Sequence, residues 1–212
     1  MKVGIIGASG KAGSFLMAEA LNQGHQVTAM VRDRSKLAET RAEVVERDLF
    51  SLTPYDLSHF DVVIDAFKAP PGQESQHISS LEHLIGLVGP LPEPRLMVVG
   101  GAGSLYTDAS RKIRLMDTED FPPAFLPTAS AMGEAFAKLR DSLANWAYLS
   151  PAAVFDPRGK RTGKYTLGWD VMIVNKSGES YVSYPDFAIA MIDEIRNKNY
   201  MRQRFSVVSE KQ

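Results

Sequence analysis

The sequence predicts an α/β fold: a doubly wound parallel sheet with helices on both faces and a small C-terminal lobe. Short runs rich in β-branched and apolar residues recur along the chain with little polar alternation, which is how a strand buried on both faces reads. Amphipathic stretches at helical spacing separate several of these runs, so strand, helix and strand alternate and right-handed crossovers follow. The 212 residues, 44% of them hydrophobic, suffice for one core and fall within single-domain size, so one domain is expected over 1–212.

The first buried strand is "KVGIIG". In "KAGSFLMAEALNQ", Ala12, Leu16 and Ala20 fall at i, i+4 and i+8 beside Phe15, an amphipathic helix that Gly24 closes. The second to fifth strands are "HQVTAMV", "AEVVERD", "DVVIDAF" and "RLMVVGG". Between the fourth and fifth, "QESQHISSLEHLIGLV" sets Ile78, Leu81, Ile85 and Val88 on one helical face. A further helix through Met132, Phe136, Leu139 and Leu143 delivers the chain to the strand "WAYL". The stretch "SPAAVFDPRGKRTGKYTLGWD" carries two prolines and three glycines among scattered charges. It reads as long loops, so residues 151–183 are expected to cover the carboxyl ends of the strands, where open α/β sheets bind ligands. In "SYPDFAIAMIDEI", Ser183 and Asp186 have capping-box spacing, Pro185 suits a first helical turn, and Ala188, Met191, Ile192 and Ile195 share a face. A closing strand is expected in "RFSVVS".

Composition excludes several functions. Lys+Arg 24 against Asp+Glu 25 leaves a formal charge of -1, so no basic field invites nucleic acid or an anionic membrane. With Cys 0 there is no disulfide framework, no thiolate nucleophile and no cysteine metal site, which fits a reducing cytoplasm. No run of about 18 apolar residues spans a bilayer and no basic flank opens a signal peptide, so a cytoplasmic protein is expected. His25, His59, His77 and His83 are scattered, and the spacing of His77 and His83 puts them on different helix faces, against a metal pair. Ser150 and Ser183 lack a neighbouring His-Asp arrangement, against a hydrolase. The run "RKIR", Arg111 to Arg114, reads as an exposed turn.

The informative motif is "GASGKAGS", Gly7 to Ser14. A P-loop requires G-x-x-x-x-G-K-[ST], but Lys11 is followed by Ala12, and Ile5 stands where the first glycine belongs. Gly7, Gly10 and Gly13 instead give G-x-x-G-x-x-G between a strand and a helix. That is a dinucleotide fingerprint with its middle glycine displaced by one: a tight turn, close backbone approach to a pyrophosphate, and a helix N-terminus facing the anion. Beyond the second strand, NAD enzymes place an acidic residue for the ribose hydroxyls. This chain has Val31-Arg32-Asp33-Arg34. The Arg32 guanidinium suits a 2′-phosphate, which prefers NADP, while Asp33 keeps NAD open.

The stretches "GASGKAG", "VRDRSKL", "RDLF", "DVVIDAF" and "VVGGAGSL", with looser matches in "SPAAVF" and "YPDFAIAMIDEI", make the chain similar to the atypical short-chain dehydrogenase/reductase family over nearly its whole length. The branch it resembles is NmrA-like and includes NAD(P)H-dependent flavin reductases and the B-type biliverdin reductase. The resemblance implies a Rossmann fold with residues 9–13 (Ser9, Gly10, Lys11, Ala12, Gly13) and Gly7 around the pyrophosphate, and Arg32 at the adenosine phosphate. It puts Asp48 and Leu49 at the adenine edge, and Ala66 and Phe67 at the adenine-side ribose. It sets the nicotinamide near Gly100, Gly101 and Ser104, under the loop starting at Pro151.

Reductases of this superfamily that act on simple ketones use Tyr-x-x-x-Lys, the lysine lowering the tyrosine pKa for proton exchange. None of the seven tyrosines has lysine four residues on, and small residues fill "TASAMGEAFAKL" where the tyrosine would stand. A flavin or quinone spreads arriving charge over a π-system and takes its proton from water. The expected function is therefore an NADPH-preferring reductase of such an acceptor, with FMN or FAD as substrate and the site supplying proximity and orientation. Ser104 is expected to contact the acceptor or nicotinamide amide and Tyr106 to wall the site, with Arg161 and Lys164 as weaker candidates for an acceptor phosphate. A non-catalytic NADP sensor of NmrA type is the alternative, followed by an epimerase, and the protein is expected as a monomer or homodimer.

Overall fold

The computed structural model describes residues 1–38 and 41–212. Its elements run β1 (Lys2–Ile6), α1 (Lys11–Asn22), β2 (Gln26–Val31), β3 (Glu43–Glu46), α2 (Pro54–Leu57), β4 (Val62–Asp65), α3 (Gln76–Val88) and β5 (Arg95–Val99). They continue with α4 (Leu126–Asp141), β6 (Trp146–Ser150), β7 (Val154–Asp156), β8 (Tyr165–Gly168), β9 (Tyr181–Ser183), α5 (Tyr184–Asn197) and β10 (Gln203–Ser209). The main sheet has the order β3-β2-β1-β4-β5-β6-β10-β8. All its pairings are parallel except β8 against β10. Strand order reverses at β1, so a crevice opens between the carboxyl ends of β1 and β4, where such sheets take ligands.

Alternation along the strands divides the core in two. Val3, Ile5, Ile64, Met97 and Leu149 pack with Leu16 and Ala20 of α1 and Phe187 and Met191 of α5. Ile6, Val63, Leu96, Val98 and Tyr148 face the other way, onto Leu81 and Leu84 of α3 and Phe136 and Leu139 of α4. β1, β2, β4, β5 and β6 are therefore apolar on both faces, the pattern from which the sheet was expected.

Four expectations need correction. The buried face of α3 is His77, Ser80, Leu81, Leu84 and Val88, turned from the expected stripe so that Ile78 and Ile85 lie at its margins. Leu143 falls beyond the end of α4 and is 72% exposed, because Ser142 stops the helix, its backbone extended. The segment after Pro151 is not all loop. It contributes β7, which pairs with β9 in a small parallel ribbon, and β8, which caps the main sheet edge; its glycines and prolines punctuate short strands. Finally, only half a capping box forms at α5. The Ser183 hydroxyl accepts from the Asp186 N–H at 3.1 Å, but the buried Asp186 carboxylate accepts from Thr162 N, Thr162 Oγ1 and Gly163 N. It ties down the 162–163 turn instead.

Candidate functional site

The glycine loop leaves β1 at Gly7, whose φ of +75° is left-handed and whose N–H donates to Met30 O at 3.0 Å. A Cβ there would stand 2.8 Å from Ala66 O, so conformation and clearance both demand glycine. Gly10 donates to Gly7 O at 2.9 Å and precedes α1 in extended backbone. At Gly13 a Cβ would lie 2.2 Å from Gly7 O: this glycine lets the first turn of α1 close onto the loop. α1 has no side-chain cap and no acidic residue in its first turn. Its leading N–H groups lack intrahelical partners and carry the positive end of the helix dipole, a ready anion site. Lys11, the first helical residue, is exposed, and Ala12 is half-buried.

A cleft of about 180 Å3 faces this loop and brings together Gly7, Ser9, Gly10, Arg32, Asp48, Leu49, Ala66 and Phe67. These residues come from four separate turns that follow β1, β2, β3 and β4. Arg32 is exposed and, among the described residues, makes no side-chain hydrogen bond or ion pair. Its neighbour Asp33 is engaged: Oδ1 accepts from Ser35 N at 3.0 Å and Ser35 Oγ at 2.6 Å. The Ser35 hydroxyl foremost holds that carboxyl below its usual range. Asp48 accepts from Phe50 N at 2.9 Å, capping a short turn. Lys36 and Arg47 add positive charge to the wall, each with an acidic partner, Asp33 and Asp56.

One group escaped the sequence reading. Asp65 ends β4 and is 6% exposed, and its carboxylate accepts from the Phe67 N–H at 2.9 Å. Burial pushes its pKa up to about 6. It lines a void of about 20 Å3 with His77 and Tyr148, beside the cleft that Phe67 also lines. The signal was present in "DVVIDAF", a carboxylate inside an otherwise apolar strand.

The other expected residues lie elsewhere. Gly100, Gly101 and Pro151 do not line the cleft. A Cβ on Gly100 would sit 2.2 Å from the Tyr148 ring, and Gly101 N donates to the Tyr148 hydroxyl at 3.3 Å, whose pKa burial pushes up to about 12. Pro151 is buried directly after β6. Ser104 and Tyr106 line a different cavity. The Ser104 hydroxyl, 8% exposed, accepts from Arg204 Nη1 at 2.8 Å. Arg161 reaches Glu19 of α1 at 3.2 Å, and Lys164 is exposed.

Comparison with known proteins agrees with this geometry. A family model described as NAD(P)H-binding matches residues 7–198. The uncharacterized protein YwnB of Bacillus subtilis is 51% identical over 212 residues, 99% of each chain. A solved Streptococcus pneumoniae structure, named a candidate NADH-flavin reductase, has a TM-score of 0.94 at 39% identity, covering 99% of this chain and 100% of that one. A Bacteroides thetaiotaomicron structure named a candidate epimerase has a TM-score of 0.86 at 34% identity, covering 100% of this chain and 99% of that one. The match lies where the fingerprint and the atypical short-chain reductase resemblance pointed, and the chain belongs to the NAD(P)H-binding family.

Proposed function

We propose that the protein is an NADPH-preferring reductase that delivers hydride to a delocalised acceptor such as a flavin or quinone. The observation that carries the cofactor preference is the pairing state of two neighbours. Arg32 lines the cleft without a side-chain partner among the described residues, while Asp33, the residue that would serve an NAD ribose, accepts from Ser35 N and Oγ. A guanidinium without a protein partner suits a 2′-phosphate, which it can bind bidentately. The uncapped start of α1 and the loop from Gly7 to Gly13 would hold the pyrophosphate. Asp48 and Leu49 would meet the adenine, Ala66 and Phe67 the adjoining ribose, and Gly100, Gly101 and Pro151 the nicotinamide side.

Bound NADPH supplies the hydride. The chain's part is orientation, because its sequence lacks the Tyr-x-x-x-Lys pair that protonates an alkoxide. That same lack weighs against epimerase chemistry, whatever the name of one relative. A conjugated acceptor needs no such acid, so proximity carries the acceleration. Ser104 and Tyr106 face a separate cavity and carry no step in this reading.

Purified protein mixed with NADPH and FMN is expected to consume the near-ultraviolet absorbance of the reduced nicotinamide. Tight NADPH binding without turnover across flavins, quinones and biliverdin would overturn the reductase reading in favour of a redox sensor.

A further inference from the structure

A second cavity of about 370 Å3 opens between α4 and the β10–β8 edge of the sheet, and it shares no lining residue with the glycine cleft. The loop after β5 is pinned over it. Tyr106 forms bridges to Arg114 and Val171, its N–H donates to Asp170 O at 3.1 Å, and its carbonyl accepts from Met172 N at 2.8 Å.

Charge in this cavity is one-sided. Arg111, Arg114, Arg140, Arg202 and Arg204 line it against Asp170 alone, in a chain whose formal charge is -1. Three of the five are committed to the protein. Arg204 lies 4.5 Å over the Phe136 ring and pairs with Asp170; Arg114 is bidentate to Asp117; Arg202 donates to Ser142 O at 2.6 Å. Two remain available. Arg111 makes no side-chain hydrogen bond or ion pair among the described residues and is presented at a left-handed φ of +53°, a conformation rare for a bulky side chain. Arg140 reaches only the exposed Asp141, at 3.4 Å, a contact of little worth.

A second, independent observation concerns the cavity's tryptophans. Trp146 lines it, is 2% exposed, and has an indole N–H with no hydrogen-bond partner among the described residues. An indole N–H can only donate, and buried donors in folded proteins are almost always paired. Trp169 lines the same cavity but is 55% exposed. The site therefore offers two weakly committed guanidinium groups, positive charge and an aromatic surface. What complements it is a flat molecule that brings acceptor oxygens and negative charge.

We propose that this cavity is a ligand site, separate from the dinucleotide cleft, for a small aryl oxyanion: a planar ring bearing a carboxylate or phosphate. The oxyanion meets Arg111 and Arg140, and the ring lies against Trp169. The inference stands on its own residues and does not depend on the reductase reading.

Trp146 and Trp169 are the chain's two tryptophans, so intrinsic fluorescence reports directly on this cavity. Titration with phenyl phosphate and with benzoate is expected to give a saturable change with at least one, the tighter naming the headgroup. Arg111→Ala and Arg140→Ala, both at exposed positions, should each weaken binding about tenfold, the loss of one charge-assisted contact. Arg32→Glu should leave it unaltered. The proposal is overturned if neither aryl anion gives a saturable response, or if uncharged benzamide or ringless inorganic phosphate binds as tightly as both. Binding that survives the Arg111→Ala/Arg140→Ala double variant would also overturn it.

Discussion

Two buried charged sites at opposite ends of the same parallel sheet, the Arg95–Glu194 pair and Asp65, differ in how many partners answer them. At the amino end, Arg95 opens β5 and Glu194 sits near the end of α5, each 2% exposed. Their side chains pair at 2.8 Å. Arg95 also donates to Glu194 O and Tyr200 O, and Glu194 accepts from Asn199 N and Tyr200 N. At the carboxyl end, Asp65 is buried with one backbone donor, α1 begins without a side-chain cap, and Arg32 has no partner among the described residues. Burial is comparable for Arg95, Glu194 and Asp65, and what differs is the number of partners. A nearly complete network, in which among the described residues only the Arg95 Nε lacks a partner, fastens α5 to the sheet, whereas Asp65 with its one donor keeps a titratable proton and Arg32 keeps its charge for a ligand.

The contrast is broken most severely at the Arg95–Glu194 pair. Glu194→Ala would leave the Arg95 guanidinium buried and unpaired, at a cost of about 3–5 kcal/mol. Chemical denaturation should show this loss, while dinucleotide affinity of the folded protein stays unchanged. Arg95→Met/Glu194→Leu, which replaces the whole pair with apolar groups, should recover most of it.

At the other end the expected sign reverses. Asp65 has its pKa raised from 3.8 to about 6, so between those values the folded state holds a proton that the unfolded chain has released. Stability therefore falls as pH rises through this window, and above about pH 6 the full penalty is present. Asp65→Asn keeps an acceptor for the Phe67 N–H and removes the buried charge. It should stabilise the protein by about 3 kcal/mol at pH 8, with the gain gone below about pH 4. Melting curves at those two pH values test this; an Asn variant less stable at pH 8 would mean that the carboxylate has a partner besides the Phe67 N–H.

Gly13→Ala should separate binding from folding less cleanly. Its Cβ would meet backbone rather than a side chain, so relief requires α1 to move off the loop, a cost of about 1–3 kcal/mol with loss of NADPH binding by calorimetry. The smallest stability effect belongs to Arg32→Glu, an exposed unpaired site. Denaturation midpoints should not shift, yet KM for NADPH should rise far more than KM for NADH, and equal rises would defeat the NADP preference.

Much of the fold was legible because strand burial and helix amphipathicity are local patterns. Each main-sheet strand from β1 to β6, and β10, lies where an apolar run stood. β7 and β8 were not legible, since four residues such as "YTLG" between glycines become a strand only when β10 offers an open edge. The stripe on α3 was misjudged because His77 and Ser80 are buried by neighbours that no hydropathy pattern names. At the site, the glycine spacing gave the loop and Arg32 its place after β2. Asp48, Leu49, Ala66 and Phe67 joined through resemblance, and all four line the cleft.

The sequence by itself determined the parallel sheet, the glycine loop, the absence of Tyr-x-x-x-Lys and the identity of the residue after β2, because each is written in spacing or residue type. Only the tertiary structure decided that Asp33 is engaged while Arg32 has no side-chain partner among the described residues, that Asp65 is buried with a displaced pKa, and that Ser104 answers Arg204, 100 positions away. The physical reason is that hydrogen-bond saturation and desolvation depend on which groups from distant segments arrive together. No local pattern encodes that meeting.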